Sequence, residues 1–186
     1  MIGYAMCGSF CTFSDSFEVL LKLKERYGEI VPIMSYNAYN TDTRFGTHEE
    51  WIDRIESVCG RKIINTIEGA EPLGPKVSLD ALMIAPCTGN TLAKLANGIT
   101  DTPVCMAAKA HLRSDRPLVI ALASNDAISA NLGNLATLLT RKNIYFVPMR
   151  QDDPIKKPHS LVADFSLADK ALAAALDGKQ IRKLFL

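Results

Sequence analysis

Residues 79–98 read LDALMIAPCTGNTLAKLANG, and this stretch decides the fold class of the chain. The mostly apolar residues 79–85 predict a strand covered on both faces, since a half-exposed strand alternates apolar and polar residues. Residues 86–90 predict a tight turn, and residues 91–97 predict a helix that ends at Gly98. A buried strand that leads directly into a helix is typical of a parallel sheet in an α/β protein.

The same strand-then-helix alternation recurs along the whole chain. The sequence predicts further strands at residues 2–6, 30–35, 61–66, 118–123 and 144–147, and further helices at residues 15–27, 47–59, 104–112, 128–141 and 167–176. Three helix starts are assigned from polar pairs that can cap them, namely Asp15 with Glu18, Thr47 with Glu50, and Ser166 with Asp169. Residues 36–46, 68–76 and 151–159 are predicted loops, the last an exposed loop or a crossing arm. This order predicts a doubly wound, mostly parallel sheet in a single domain over residues 1–186.

Composition and charge narrow the classes of function. The chain has 186 residues, with 21 Lys and Arg against 20 Asp and Glu, so its net charge is +1. This balance gives no electrostatic basis for a nucleic-acid or anionic-membrane partner. A hydrophobic share of 48% excludes a disordered chain, and no apolar stretch approaches the ~20 residues that span a bilayer. Because Met1 leads almost directly into a predicted strand, we expect no signal peptide and a soluble, cytoplasmic protein.

The five cysteines fit a reducing compartment better than a disulfide framework. Their number is odd, no CxxC pair occurs, and their spacing matches no zinc pattern. The three histidines are far apart in the sequence, so we expect no metal site. Cys7, Cys11 and Cys87 fall at the predicted ligand-binding edge, whereas Cys59 and Cys105 are expected to fill the core.

The candidate ligand-binding residues lie in the loops that follow the strands. In a doubly wound sheet, ligands bind outside the carboxyl ends of the strands. These loops are rich in Ser, Thr and Asn and poor in charge, so they can hold a ligand through neutral hydrogen bonds and helix N-termini, as a flavin phosphate and ring edge require. No GxGxxG, Walker or GxSxG motif occurs, which argues against dinucleotide, ATP and serine-hydrolase sites. The candidates are Gly8, Ser9, Ser35, Asn37, Pro86, Thr88, Asn90, Thr91, Ser124 and Asn125.

Residues 86–101, PCTGNTLAKLANGITD, resemble the flavoprotein family that includes the peptidyl-cysteine decarboxylases, phosphopantothenoylcysteine decarboxylase and the flavin prenyltransferases. That family carries a Pro-Ala-Ser/Thr-Ala-Asn-Thr type of run followed by a helix ending Gly-x-x-Asp. The Gly8–Ser9 loop and Ser35 fall where the family holds FMN, and residues 113–119 look like its basic segment. The resemblance implies a Rossmann-like, flavodoxin-like three-layer sandwich and FMN as cofactor.

The C-terminal part, residues 140–148 and 151–164, is similar to one branch of this family. Members of that branch work beside a nicotinamide-dependent dehydrogenase subunit. The similarity implies oxidation of a dihydrodipicolinate-level precursor to dipicolinate, with NAD or NADP held by the partner, in the mother-cell cytoplasm of a spore-forming bacterium. It also implies a homo-oligomer built on trimers. For the small dicarboxylate substrate, Arg113 is the candidate binding residue, with Arg116 nearby, because a guanidinium contacts a carboxylate through two hydrogen bonds.

Two other functions stay open at this point, a stand-alone FMN-dependent decarboxylase or flavin prenyltransferase, and a non-catalytic scaffold subunit. Residues 64–71 lack the histidine that the cysteine decarboxylases use before the central strand, and Ala123 and Ser124 stand where the prenyltransferases carry a phosphate-gripping arginine. Cys87 and Gly89 replace the alanines more common in the family motif. No side chain is singled out as a general acid or base.

Overall fold

A computed structural model of the chain describes residues 1–74 and 76–186. Over these residues the strands are β1 (Ile2–Met6), β2 (Ile30–Met34), β3 (Ala81–Cys87), β4 (Leu118–Ser124), β5 (Ile144–Phe146), β6 (Met149–Arg150) and β7 (Leu161–Ala163). The helices are α1 (Phe13–Tyr27), α2 (Tyr36–Asn40), α3 (His48–Cys59), α4 (Ile67–Ala70), α5 (Gly89–Asn97), α6 (Pro103–Leu112), α7 (Leu132–Leu139) and α8 (Ala168–Leu176). Short 3₁₀ turns precede α1 and α8.

The seven strands form one sheet in the order β2-β1-β3-β4-β7-β6, with β5 also paired to β4. Strands β1 to β5 pair in parallel, whereas β7 pairs antiparallel with both β4 and β6. The first half of β4 therefore contacts β5, and its last two residues contact β7. The order of the parallel strands is that of flavodoxin-like folds, and its direction reverses between β1 and β3. The predicted α/β, doubly wound, mostly parallel sheet is confirmed.

Helices cover both faces of the sheet. Alternate strand residues point to opposite sides, and the apolar residues on each side pack against helices. Tyr4 and Met6 of β1 pack with α1, α3 and α8, whereas Ala5 and Cys7 pack with α5, α6 and α7. All seven residues of β3 are buried, which explains its continuous apolar sequence. Each large aliphatic side chain buried in this way contributes roughly 1.5–3 kcal/mol through the hydrophobic effect.

Two of the predicted helix boundaries are confirmed by their capping geometry. The Thr47 side chain accepts a hydrogen bond from the Glu50 N–H, and the Glu50 side chain accepts one from the Thr47 N–H, which forms a capping box. The next buried strand leads into α5, whose predicted end is also observed. Gly98 ends α5 in the left-handed conformation, with φ of 70°.

Several local predictions are wrong where tertiary contacts override the local pattern. Residues 61–66 form only an isolated bridge between Ile64 and Ile33 in place of a strand. The predicted loops at residues 36–46 and 68–76 contain the short helix α2 and most of α4, while Pro75 lies outside the described residues.

The starts of the first, seventh and last helices also differ from prediction. Helix α1 begins at Phe13 with no side-chain cap from Asp15. Helix α8 begins at Ala168, and Asp164 caps the preceding 3₁₀ turn by accepting a hydrogen bond from the Ser166 N–H. Helix α7 begins four residues later than predicted, because a hydrogen-bonded turn occupies residues 126–131. Polar residues in turns favour such local bonds over helix extension.

A buried hydrogen-bond chain joins β1, α1 and β3. The Tyr4 hydroxyl donates to the Ser16 carbonyl oxygen over 2.7 Å, and the Ser16 hydroxyl donates to the Ala85 carbonyl oxygen over 2.5 Å. Desolvation raises the pKa of the Tyr4 phenol far above its usual value, so its hydroxyl stays protonated as a donor.

We predict that Tyr4→Phe lowers the free energy of unfolding by about 1–2 kcal/mol, since it removes the buried hydroxyl that bonds to the Ser16 carbonyl and hydroxyl. Tyr36→Phe is the matched control, because Tyr36 is 41% exposed. That control should change stability by less than about 0.5 kcal/mol. Urea unfolding followed by circular dichroism measures both variants. If Tyr4→Phe were as stable as the unsubstituted protein, the buried hydrogen bonds of Tyr4 would not contribute to stability as described.

Candidate functional site

A cleft of about 550 Å³ lies at the carboxyl ends of β1, β3 and β4. This is the position at which the strand order reverses, where doubly wound sheets bind their ligands. One wall consists of the loops that follow the three strands. The other wall comes from the segment between β6 and β7, residues 151–160, which we call the β6–β7 arm, together with Val162. The lining residues are Gly8, Ser9, Cys11, Thr12, Thr88, Gly89, Asn90, Ala123, Ser124, Asn125, Asp126, Asp152, Lys157, Ser160 and Val162.

The floor of the cleft is set by the ends of β1 and β3. The Cys7 N–H donates to the Pro86 carbonyl oxygen over 3.1 Å, two residues beyond the last regular β1–β3 pair. On the other side of β3, the pairing with β4 shifts register between Ile84 and Cys87. Proline lacks an N–H, so an irregularity of this kind lets Pro86 occupy a central strand.

The start of α5 presents backbone donors to the cleft. Thr88 precedes the helix, and its side chain accepts a hydrogen bond from the Thr91 N–H over 3.2 Å. The N–H groups of Gly89 and Asn90 are the first two of α5, so they have no acceptor within the helix. Thr91 is buried behind this turn, with its hydroxyl 3.3 Å from Cys7 Sγ. Together with the helix dipole, the free N–H groups can bind a negatively charged or carbonyl oxygen.

A carboxylate lies on the β4 side of the cleft, held by neighbouring polar groups. Asp126 Oδ1 accepts a hydrogen bond from the Ser124 hydroxyl over 2.5 Å, and Oδ2 accepts one from Asn131 Nδ2 over 2.9 Å. A Cβ added at Gly89 would lie 2.4 Å from Ser124 Oγ and 2.7 Å from both Asp126 Oδ1 and Asn131 Nδ2. Glycine at position 89 is therefore required by this polar cluster, which explains the departure from the alanine common in the family motif.

The β6–β7 arm is held over the sheet by its own hydrogen bonds and by β7. The Lys157 N–H donates to the Asp153 carbonyl oxygen over 2.8 Å, and the Ile128 N–H donates to the His159 carbonyl oxygen over 3.1 Å. Strand β7 then pairs with β4 at Ser124, which brings the arm next to the strand-end loops. Within the arm, Lys157 Nζ lies 2.6 Å from Asp152 Oδ2, and this contact lowers the pKa of the Asp152 carboxyl.

Six of the ten sequence-predicted binding residues line the cleft, namely Gly8, Ser9, Thr88, Asn90, Ser124 and Asn125. The other four lie at or behind its edges. Pro86 and Thr91 support the floor from within. Ser35 caps α2 by accepting a hydrogen bond from the Ala38 N–H, and Asn37 lies close to Gly8. A role for any of these residues in holding a cofactor stays a prediction.

Arg113 does not line this cleft. It follows α6 and precedes β4, whereas the cleft lies beyond the end of β4, about 20 Å along the strand. Arg113 instead borders a separate groove with Ile99 and Lys109. The neighbouring Arg116 donates to the Leu79 carbonyl oxygen over 2.8 Å, a contact that supports the start of β3.

The cysteines divide between the buried core and the cleft. All five are free thiols, and Cys7, Cys59, Cys87 and Cys105 are buried. Desolvation raises the pKa of the Cys7 thiol to about 12, and it raises that of Cys87 well above its usual value, so both stay protonated. Cys11 is exposed and lines the cleft.

Sequence reasoning missed the arm as a wall of the cleft. Residues 151–159 were predicted only as an exposed loop or crossing arm, and neither Asp152 nor Lys157 was singled out. The arm could not be placed because strand β7, which positions it, was not predicted. With only three residues, Leu161–Ala163, β7 is too short to show a strand pattern in the sequence. Asp126 is also absent from the predicted binding residues. Its backbone carbonyl accepts hydrogen bonds from the Ser129 and Asn131 N–H groups, which closes a turn, and the residue lines the cleft.

The described part of the chain contains neither a membrane-spanning helix nor a cluster of metal ligands. None of its helices has both the length and the apolar character needed to cross a bilayer. In residues 1–74 and 76–186, no three His, Cys, Asp or Glu side chains are grouped to hold a metal ion.

Comparison with known families agrees with this fold. The sequence profile named Flavoprotein matches residues 2–182. The chain belongs to the flavoprotein family. The family resemblance predicted from residues 86–101 is thereby confirmed.

Individual relatives place the similarity in one branch of the flavoprotein family. The chain is 44% identical over 185 residues to the B subunit of dipicolinate synthase from Bacillus subtilis (strain 168), in an alignment that covers 100% of this chain and 92% of that protein. The crystal structure of the dipicolinate synthase B subunit from Bacillus halodurans C has a TM-score of 0.88 and 39% identity, covering 100% of this chain and 95% of that one. The FMN-dependent cysteine decarboxylase SpaF has a TM-score of 0.71 and 26% identity, covering 95% and 94%. The similarity predicted from the C-terminal residues is confirmed.

We predict that Gly89→Ala destabilises the fold by about 1–3 kcal/mol, because the added methyl displaces the Ser124–Asp126–Asn131 cluster. Gly133→Ala is the matched control, since a Cβ added at Gly133 in α7 meets no atom within 4 Å. That control should be neutral or stabilising by up to about 1 kcal/mol, because alanine favours the helix. Thermal unfolding compares the two variants. A Gly89→Ala variant as stable as Gly133→Ala would show that the cluster does not depend on glycine.

Proposed function

We propose that this chain is the B subunit of a dipicolinate synthase, a single flavoprotein-like domain over residues 1–186. It acts with a nicotinamide-dependent A subunit to oxidise a dihydrodipicolinate-level precursor to dipicolinate. The observation that carries this proposal is the 44% identity to the Bacillus subtilis protein over the whole chain. The 39% identity and TM-score of 0.88 to the Bacillus halodurans protein support it independently at the level of structure.

The residues of the cleft fit a flavin mononucleotide. A volume of about 550 Å³ lies within the range of cofactor and small-molecule sites. The Ser9 hydroxyl and the N–H groups at the start of α5 can donate to phosphate or ring oxygens. The side chains of Asn90 and Asn125 are exposed at the rim, where an amide can bind both a ring N–H and a carbonyl. The family and the FMN-dependent relative SpaF support the same cofactor.

The contribution of each cleft residue follows from its position. Gly8, Ser9 and the start of α5 would hold the cofactor, and Ser124 with Asp126 would orient a donor group of the ligand. Ser35, Asn37, Pro86, Thr88 and Thr91 would keep these groups in place. A bound flavin would supply two-electron redox chemistry at the cleft. Raised pKa values keep the buried thiols below the cleft neutral, so they would not add charge to it.

The overall oxidation balances with the partner as electron acceptor. Aromatisation of a dihydrodipicolinate breaks one ring C–H bond with its electron pair, and this hydride reduces NAD⁺ or NADP⁺ held by the A subunit. A second ring hydrogen leaves as a proton to water. Because the oxidised nicotinamide takes up the hydride, we place the redox step in the A subunit and the substrate-binding site in this chain.

The proposed cellular setting and assembly follow from the family resemblance. We propose a cytoplasmic location, in the mother cell of a spore-forming bacterium, and a homo-oligomer based on trimers. Exposed apolar side chains are available for such contacts, among them Leu132 at 51% and Phe185 at 52% exposure. Light scattering of the purified chain measures the assembly, and a monomer would contradict this part of the proposal.

The function is tested by reconstitution of the two subunits. We predict that dipicolinate forms from the dihydrodipicolinate-level precursor only when the A subunit, this chain and oxidised nicotinamide cofactor are all present. Nicotinamide reduction and dipicolinate absorbance measure the two products. Dipicolinate formation at the same rate without this chain would overturn the proposal. Decarboxylation of a peptidyl cysteine by this chain alone would favour the decarboxylase, and a flavin-free chain that still stimulates its partner would favour the scaffold.

Flavin binding is tested separately by adding FMN to the purified chain and recording the visible spectrum. We predict that Asn90→Asp weakens FMN affinity by about 10-fold, because it places a carboxylate at the rim beside the cofactor. Asn97→Asp is the control, since it puts the same charge on the same helix near its other end. It should leave the affinity within about 2-fold of the unsubstituted chain. Equal effects of the two variants would exclude Asn90 from the flavin site.

A further inference from the structure

The cleft has two walls of different charge. On the wall formed by the strand-end loops, the charged side chain is Asp126, which is held by Ser124 and Asn131. On the wall formed by the β6–β7 arm, Lys157 faces Asp152. Of the described residues that line the cleft, Lys157 alone is cationic. An anionic group that enters the cleft therefore has one positively charged side chain to bind.

The Lys157 ammonium is held in position but not enclosed. Asp152 Oδ2 contacts it at 2.6 Å, while the Lys157 side chain is 55% exposed. The backbone around it is fixed, because the Lys157 N–H donates to the Asp153 carbonyl and the Lys157 carbonyl accepts from the Ser160 N–H over 3.1 Å. An exposed ion pair is weak, so a second carboxylate can share the ammonium without a large loss of interaction energy between Lys157 and Asp152. The ammonium has three donors, and the Asp152 contact uses one of them.

We infer that Lys157 is the substrate-specificity residue of this chain, and that it binds a carboxylate of the dicarboxylate ligand in the cleft. This inference rests on the proposed function for the identity of the ligand. Asp126 on the opposite wall repels a carboxylate and accepts from an N–H or O–H, so the two walls orient a ring that carries both kinds of group. The arm thus binds the substrate, while the strand-end loops bind the cofactor.

Within one protomer, three other cations of interest do not line the cleft. Arg113 lies at the opposite end of β4, in a separate groove. Arg116 is committed to the Leu79 carbonyl and to Asp80, 3.2 Å away. Lys156 precedes Lys157 in the arm and is exposed, but it does not line the cleft. Lys156 is therefore a matched control for a loss of charge in the same segment.

The experiment measures binding of dipicolinate to the FMN-treated chain by calorimetry, and its formation by the reconstituted two-subunit enzyme. We expect Lys157→Gln to weaken dipicolinate binding about 10-fold and to raise KM for the precursor by a similar factor. Lys157→Arg should restore most of the affinity, and Lys156→Gln should stay within about 2-fold of the unsubstituted chain. The FMN spectrum of all variants should be unchanged, because the strand-end loops hold the cofactor.

Three results would overturn the inference. One is dipicolinate affinity in Lys157→Gln equal to that of the unsubstituted chain. Another is an equal loss in Lys156→Gln, which would indicate general attraction by the charge of the arm. The third is a loss in Arg113→Gln with none in Lys157→Gln, which would assign the ligand to the groove of Arg113. An unsubstituted chain that neither binds nor helps to form dipicolinate would instead refute the proposed function, and the inference with it.

Discussion

The hydrogen bond from the Cys7 N–H to the Pro86 carbonyl is the constraint on which the site depends. It joins the ends of β1 and β3 at the point where the strand order reverses. Beyond this bond β3 has one residue left, Cys87, and α5 begins at Gly89. The start of α5 is thereby fixed beside the loop that follows β1, and its free N–H groups face the cleft. The cleft is a consequence of how two adjacent parallel strands end.

The parts of this arrangement that could be predicted from sequence are those with local causes. Strand β1 was predicted at its observed bounds, because its apolar residues are buried on both faces. The capping pair of Thr47 and Glu50 marks the start of α3, because both hydrogen bonds form within four residues. The end of α5 at Gly98 was predicted for a similar reason, since glycine adopts the left-handed conformation without strain.

The parts that could not be predicted depend on contacts between distant segments. The arm is placed by the antiparallel pairing of β7 with β4, and this pairing joins residues nearly forty positions apart. The polar cluster under Gly89 depends on Ser124, Asp126 and Asn131, so the reason for glycine at this position is visible only in three dimensions. Arg113 was chosen for its chemistry, which is suitable, but the direction of β4 places it at the far end of the sheet.

A crystal structure of the chain grown with FMN and dipicolinate would show where both ligands bind. We expect flavin density between the strand-end loops and the β6–β7 arm, against Ser9 and the start of α5, with dipicolinate density next to Lys157. Flavin density in the groove of Arg113, or dipicolinate density away from the arm, would contradict it.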